Sequence, residues 1–278
     1  MKSLTFTRCM FWFGILFLYL PMVVLIIYSF NAGRNVQVWA GFSTHWYAEV
    51  LRDRQLIAAL WRSLRVAFFS ATAAMLLGLL ASIAIIRMKR FRGRGLLSGM
   101  VTAPLVMPDV IIGVSLLMLF VSLQQAIGWP AGRGLNTVFI AHTTFCVAYS
   151  TVVISSRLRE LDESLEEAAQ DLGATPVATF FLVTLPIIWP ALLSAWLLSF
   201  TLSLDDVVIA SFVTGPGATT LPIEVFSSVR LGVSPKINAL ATMIILAVSL
   251  VAFTSWYVTR RIDIRNRRLQ VQYLKEAE

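Results

Sequence analysis

The chain has 278 residues, of which 58% are hydrophobic and only 14% charged, with a net charge of +8 and a mean hydropathy of +0.77. A soluble domain carries about 45–50% apolar and about 25% charged residues, so this composition excludes a disordered chain and argues against a water-soluble globule. The basic excess does not point to nucleic acid: the Lys and Arg residues stand at the edges of long apolar blocks, where they orient a membrane protein.

Six apolar blocks follow in chain order. Cys9 to Asn31 is charge-free. It is about as long as a full span, and no small-x-small cleavage site ends it, so it reads as a retained membrane helix rather than a signal peptide. The next stretch, 31–62, interleaves Trp39, Trp46, Tyr47, Leu51, Leu56, Leu60 and Trp61 with charges and is expected as a short interfacial helix. Val66 to Ile86 is charge-free between Arg65 and Arg87, and Gly95 to Ile127 carries one charge, Asp109. A tight turn is expected around Trp129, Pro130, Gly132 and Gly134, and Gly134 to Ser156 forms the fourth block. Leu172 to Leu204 and Ile237 to Thr259 complete the set. Blocks of this length suit helices, because lipid offers the backbone no hydrogen-bond partners.

The fold class is therefore an all-α integral membrane protein with six transmembrane helices. With the N-terminus inside, fifteen of the 23 Lys and Arg residues lie on the inner side, which places both termini in the cytoplasm. Arg62 and Arg65, on the outer side, are expected to snorkel to the interface. Residues 1–60 read as the first span and outer loop, 61–259 as the core transmembrane domain, and 260–278 as a basic cytoplasmic tail.

The one long polar inner loop, 157–186, reads RLRELDESLEEAAQDLGATPVATFFLVTLP. Leu161, Leu165, Ala168 and Leu172 recur at spacings of 4, 3 and 4, which predicts a short amphipathic helix. Acidic residues crowd its start, favourably for the helix dipole. Gly173 is a natural stop, and Thr175-Pro176 a second break. Periodicity alone fits a solvated connector. The pattern Glu167-Ala168-Ala169, then Gly173, then a hydrophobic run ending in Leu185-Pro186, resembles the "EAA" loop of ABC importer permeases. That resemblance implies a type I importer permease fold and a coupling helix seated on a separate ATPase. Glu167, Ala168, Ala169 and Gly173 would be its coupling residues. No G-x-x-x-x-G-K-[ST] sequence occurs, and Gly215-Pro216-Gly217 reads as an outer turn. No nucleotide site is thus expected on this chain, and ATP and Mg would belong to the partner ATPase.

Three carboxylates fall inside apolar blocks: Asp109, expected near mid-membrane, and Asp205 and Asp206, expected in the outer half. Each costs roughly 2.5–3.5 kcal/mol at the bilayer centre, so they are expected to line a substrate path, with capping or interfacial roles as the alternative. Helical spacing puts Ser199, Ser203, Asp206 and Ala210 on one stripe, which places Asp206 on the path and Asp205 against a neighbouring helix. Phe145 and Tyr149 offer cation–π faces or packing. His142 is expected to bond between helices, and neither it nor His45 has metal-ligand spacing. Cys9 and Cys146 are expected as small buried apolar residues.

The runs APLVMPDVIIGVSLL (103–117), FTLSLDDVVIASFVTGPGATTLP (200–222) and VFSSVRLGVSPKINALAT (225–242), with VWAGFSTHWYAEVLRD (38–53), resemble the polyamine branch of these permeases, nearest to second permease subunits of bacterial putrescine importers. The resemblance implies an inner-membrane protein with two ATPase copies, a second, homologous permease and a periplasmic polyamine-binding protein as partners. Its work would be polyamine import by alternating access. An importer of another solute, and a proton-coupled carrier using Asp109 or Asp206, are the alternatives. A membrane enzyme would need a polar cluster that the sequence does not contain.

Overall fold

The structure is a computed structural model and describes residues 2–36, 38–88, 91–232 and 234–276. Its elements are α1 (Lys2–Tyr28), α2 (His45–Arg52), α3 (Arg54–Ile86), α4 (Arg94–Thr102), a 3-10 turn (Ala103–Leu105), α5 (Asp109–Ile127), α6 (Leu135–Glu160), α7 (Glu163–Asp171), α8 (Pro176–Thr179), a π-helical segment (Phe180–Thr184), α9 (Leu185–Asp205), α10 (Val208–Val213), α11 (Leu221–Leu231) and α12 (Pro235–Glu276). Among the described residues there is no strand, only one isolated bridge between Asn31 and Phe42. Among the described residues, five helices are long and apolar enough to cross a membrane: Phe6–Tyr28, Arg54–Ile86, Asp109–Ile127, Leu135–Glu160 and Pro176–Asp205. The apolar part of α12, Pro235–Leu250, is shorter than these.

Contacts divide the chain into two units, Met1–Arg54 with Ser228–Glu278, and Gln55–Ser227. In the first, α1 and α2 both pack against α12. None of the most apolar stretch of α1 is buried. Cys9, expected to be buried, is accordingly exposed: a helix whose surroundings are lipid need not hide its apolar face within the chain. The connection to α2 is ordered by Asn31, fully buried, whose amide donates to the carbonyls of Asn35 and Val38 and accepts from the N–H groups of Gly33 and Ala40. Trp46 Nε1 donates to the Asn31 carbonyl at 2.7 Å, which ties the expected short helix to this loop. Lys236 pairs with Asp53 in the same unit.

The second unit is organised around α6, with 61% of its most apolar window buried. One core gathers Ile112, Leu116 and Phe120 of α5 with Val138, Ala141, Phe145 and Cys146 of α6 and Ile209, Ala210 and Val213 of α10. A second joins Ile154 and Leu158 of α6 to Ile188, Leu192 and Ala195 of α9. Hydroxyls stitch these helices where side chains are small: Ser150 to Ser199 at 2.8 Å, Ser155 to Ser82 at 3.0 Å, and Ser82 to the Thr151 carbonyl at 3.1 Å. Gly78 permits the approach of α3 to α6, since a Cβ there would stand 2.7 Å from Ser150 Cβ. Arg62, expected at the interface, donates from Nε to the Thr219 carbonyl at 2.9 Å.

Two expected helices are interrupted. The third apolar block is not one span: it breaks across 103–108, around Pro104 and Pro108, and α5 begins afresh at Asp109. A proline cannot continue the ladder and biases the residue before it away from helix. The fifth span, expected to follow the 157–186 loop from about Pro186, is continuous with α8 and the π-helical segment from Pro176, and α9 ends at Asp205. Asp206 is extended, so the stripe expected from 199 to 210 is not one continuous helix face. The Gly215–Gly217 stretch is a turn, closed by Ala218 N–H donating to the Gly215 carbonyl at 3.0 Å.

Candidate functional site

The sequence of the long loop explains its local shape. Asp162 caps α7, its carboxylate accepting from Ser164 N–H at 3.0 Å, and that bond holds its carboxyl below the ordinary 3.8. Glu163 and Glu166 occupy the first turn, where the helix dipole favours them. At the other end Gly173 takes φ +87°, and Ala174 N–H closes onto the Ala169 carbonyl at 3.0 Å. Thr175 then caps α8, accepting from Ala178 N–H at 3.3 Å, with Pro176 at the first helical position.

The stripe read from the periodicity does not lie down on the chain. Leu161 is buried, but Leu165 and Leu172 are 47% and 91% exposed, and Ala168 is exposed as well. Glu167 and Gly173 are exposed and Ala169 half-buried. The helix thus presents a carboxylate, small residues and leucines outward from the chain that carries them. What fastens it is a clasp that the sequence reading did not single out. Arg87, just past the end of α3, donates to Glu163 Oε1 at 3.0 Å and to Glu166 Oε1 at 3.2 Å, and Thr184 Oγ1 donates to that same Glu166 oxygen at 2.7 Å. The available signal was an acidic run followed by an apolar one, which says nothing of a basic residue about 80 positions earlier.

The three carboxylates of the apolar blocks lie in different settings. Asp109 opens α5 and is exposed. Because the block breaks at 103–108, Asp109 stands at the start of α5, a helix that alone rises about 28 Å, and not within one continuous helix. Asp206 is spent inside the chain. Its carboxylate accepts from Ile209 N–H at 3.2 Å and Ala210 N–H at 2.7 Å, capping α10, and it lies 3.2 Å from His142 Nε2, at ion-pair distance although not aligned as a hydrogen bond. Asp205, one residue earlier, is exposed. The helix ends between the two residues and turns Asp206 back onto α10, which leaves Asp205 as the more exposed of the pair.

His142 does bond between helices: its Nδ1 and Ser203 Oγ are 2.7 Å apart, with the imidazole 1% exposed. Phe145 and Tyr149 form an edge-on pair at 5.0 Å, Phe145 within the core. Of the three carboxylates, Asp206 meets α6 directly, through the 3.2 Å approach to His142 Nε2. Among the described residues no cluster of three His, Cys, Asp or Glu could hold a metal ion.

A family model described as the inner membrane component of binding-protein-dependent transport systems matches residues 74–268. The chain is 62% identical over 250 residues to the putrescine transport system permease protein PotI of Escherichia coli K12, covering 90% of this chain and 89% of that one. It is 44% identical over 246 residues to the spermidine/putrescine permease PotC of Haemophilus influenzae, covering 88% and 93%. Among solved structures, a chain of a bacterial ABC transporter that imports alginate superimposes with a TM-score of 0.71 at 17% identity, over 94% of this chain and 95% of that one. The MetNI methionine transporter gives 0.60 at 18% identity, over 74% and 94%. These two show a shared fold. The chain belongs to the family of inner-membrane components of binding-protein-dependent transport systems, and is a transport subunit rather than an enzyme.

Proposed function

We propose that this chain is one of two homologous permease subunits of an ABC importer that carries putrescine from periplasm to cytoplasm. The 62% identity to a putrescine permease over 90% of the chain carries the substrate assignment. Two ATPase copies, which bind ATP and Mg, drive alternating access, and a periplasmic polyamine-binding protein delivers the cargo. Six helices cross the inner membrane, α12 supplying the sixth, and both termini face the cytoplasm. The core transmembrane domain is 61–259.

The exposure of α7 supports an ATPase as its partner. Glu167 offers a carboxylate, Ala168 and Ala169 permit close approach, and Leu165 and Leu172 have apolar surface to bury against a second protein. Gly173 lets the chain turn immediately afterwards. For the cargo, a dication is very costly to desolvate, and carboxylates in the path offset part of that cost. Asp109 and Asp205, both exposed, are the path contacts, and Asp206 supports the path through α10.

The test is uptake of radiolabelled putrescine in cells lacking this chain and any redundant route, with and without the chain restored. Restoration of ATP-dependent uptake is expected. Restored uptake of another solute, with none of putrescine, would replace the substrate while leaving the family intact.

A further inference from the structure

The proposed coupling needs a route by which motion of α7 reaches the spans, and a short helix with an exposed outer face must be gripped from within. The geometry points to Glu166 as the joint: one carboxylate oxygen, Oε1, fastens the coupling helix both to the end of α3, through Arg87, and to the root of α9, through Thr184. This inference rests on the proposed importer reading and names the positioning residues of its coupling step.

Four observations carry it. The two donors meet on a single atom, at 3.2 Å from Arg87 and 2.7 Å from Thr184. The joint is sheltered, with the Glu166 side chain 19% exposed and that of Arg87 17%, while Glu163, the other carboxylate on Arg87, is 59% exposed. Arg87 Nε is buried with no hydrogen-bond partner among the described residues, so the two carboxylates alone orient the guanidinium. Thr184, buried, ends the π-helical segment that leads into α9. A π segment inside a longer helix lacks the regular i to i−4 ladder and often marks a functional site. Glu166 and Glu167 are thus adjacent residues with opposite duties, one turned back to hold the spans and the other turned out.

Rigid transmission requires both links. With Glu166 removed, α7 stays attached to the chain through its backbone and the Arg87–Glu163 contact, but its displacement is no longer passed to α3 and α9 together. ATP hydrolysis should then proceed without its full yield of transport.

The experiment uses proteoliposomes containing the complete transporter, with this chain, its partner permease, the ATPase and the binding protein, and reads putrescine taken up per ATP hydrolysed. Glu166→Ala and Thr184→Val are expected to lower that ratio about tenfold, within the usual range of site–site coupling, while the ATPase still co-purifies. Glu163→Gln should lower it much less. Thr184→Val removes only the hydroxyl and keeps the shape, so it decides the matter if Glu166→Ala fails to assemble. An unchanged ratio, or uptake and hydrolysis falling in proportion, overturns the joint. Failure of the unsubstituted complex to take up putrescine would instead overturn the importer reading beneath it.

Discussion

Asp206 is the residue at which a transport role and a structural role make opposite forecasts. Asp206→Ala removes the acceptor of two backbone N–H groups, those of Ile209 and Ala210, and the neighbour of His142 Nε2. Each donor left without an acceptor costs at least about 1 kcal/mol. The two donors together cost about 2 kcal/mol, roughly thirtyfold in the folded-to-unfolded ratio. Asp206→Asn keeps a carbonyl oxygen for one N–H and should cost only about 1 kcal/mol. The assay pairs denaturant unfolding of the purified protein in detergent with putrescine uptake by the amount of protein that folds. Both substitutions should act mainly through stability, with uptake per folded molecule largely kept. Asp205→Asn, at an exposed carboxylate, should change stability by less than about 0.5 kcal/mol and reduce uptake per folded molecule. Full stability with abolished uptake in Asp206→Ala would refute the capping role and return Asp206 to the path.

Three further outcomes are expected. Gly78→Ala places a Cβ 2.7 Å from that of Ser150 and 3.0 Å from Thr151 N, so α3 and α6 must part, at a cost of about 1–3 kcal/mol read by the same unfolding assay; no change would mean that the approach is softer than the structure has it. Gly173→Ala meets no atom within 4 Å but forces a left-handed φ of +87° on an L-residue, costing about 1–2 kcal/mol. ATPase association should weaken while membrane insertion is kept, and undiminished co-purification would count against the turn. Asp162 has a lowered carboxyl pKa because Ser164 N–H bonds to its charged form, so its capping of α7 is complete above the ordinary 3.8 and is lost as pH falls through the lower folded value. Protection of the 163–171 amides, each rate taken relative to its intrinsic value at the same pH, should therefore fall as pH drops below 3.8, and Asp162→Ala should show the lower protection already at neutral pH; equal protection in both proteins would exclude the cap.

Much of this molecule can be read from its amino acids in order, because a bilayer imposes length and polarity residue by residue. Uninterrupted apolar stretches of about 20 residues have one backbone solution in lipid, so the spans, the polar loop and the helix at Glu163–Asp171 with its Gly173 stop are local properties. The outward-facing Glu167 and Ala168 belong to the same local pattern. Periodicity told where α7 lies, but not that Leu165 and Leu172 would face away from their own chain.

Only the tertiary structure decided which charges are already taken. Arg87 meets Glu166 across 79 positions, and His142 meets Ser203 across 61. Such partners depend on how helices are placed against one another, which hydropathy does not encode. The break between Asp205 and Asp206 is a related case: extending the helix by its period put Asp206 on one stripe with Ala210, whereas the packing of α10 against α5 and α6 drew that carboxylate inward and left Asp205 exposed. Chain-local chemistry set what each segment is, and the placement of its neighbours set which side chain is free to act.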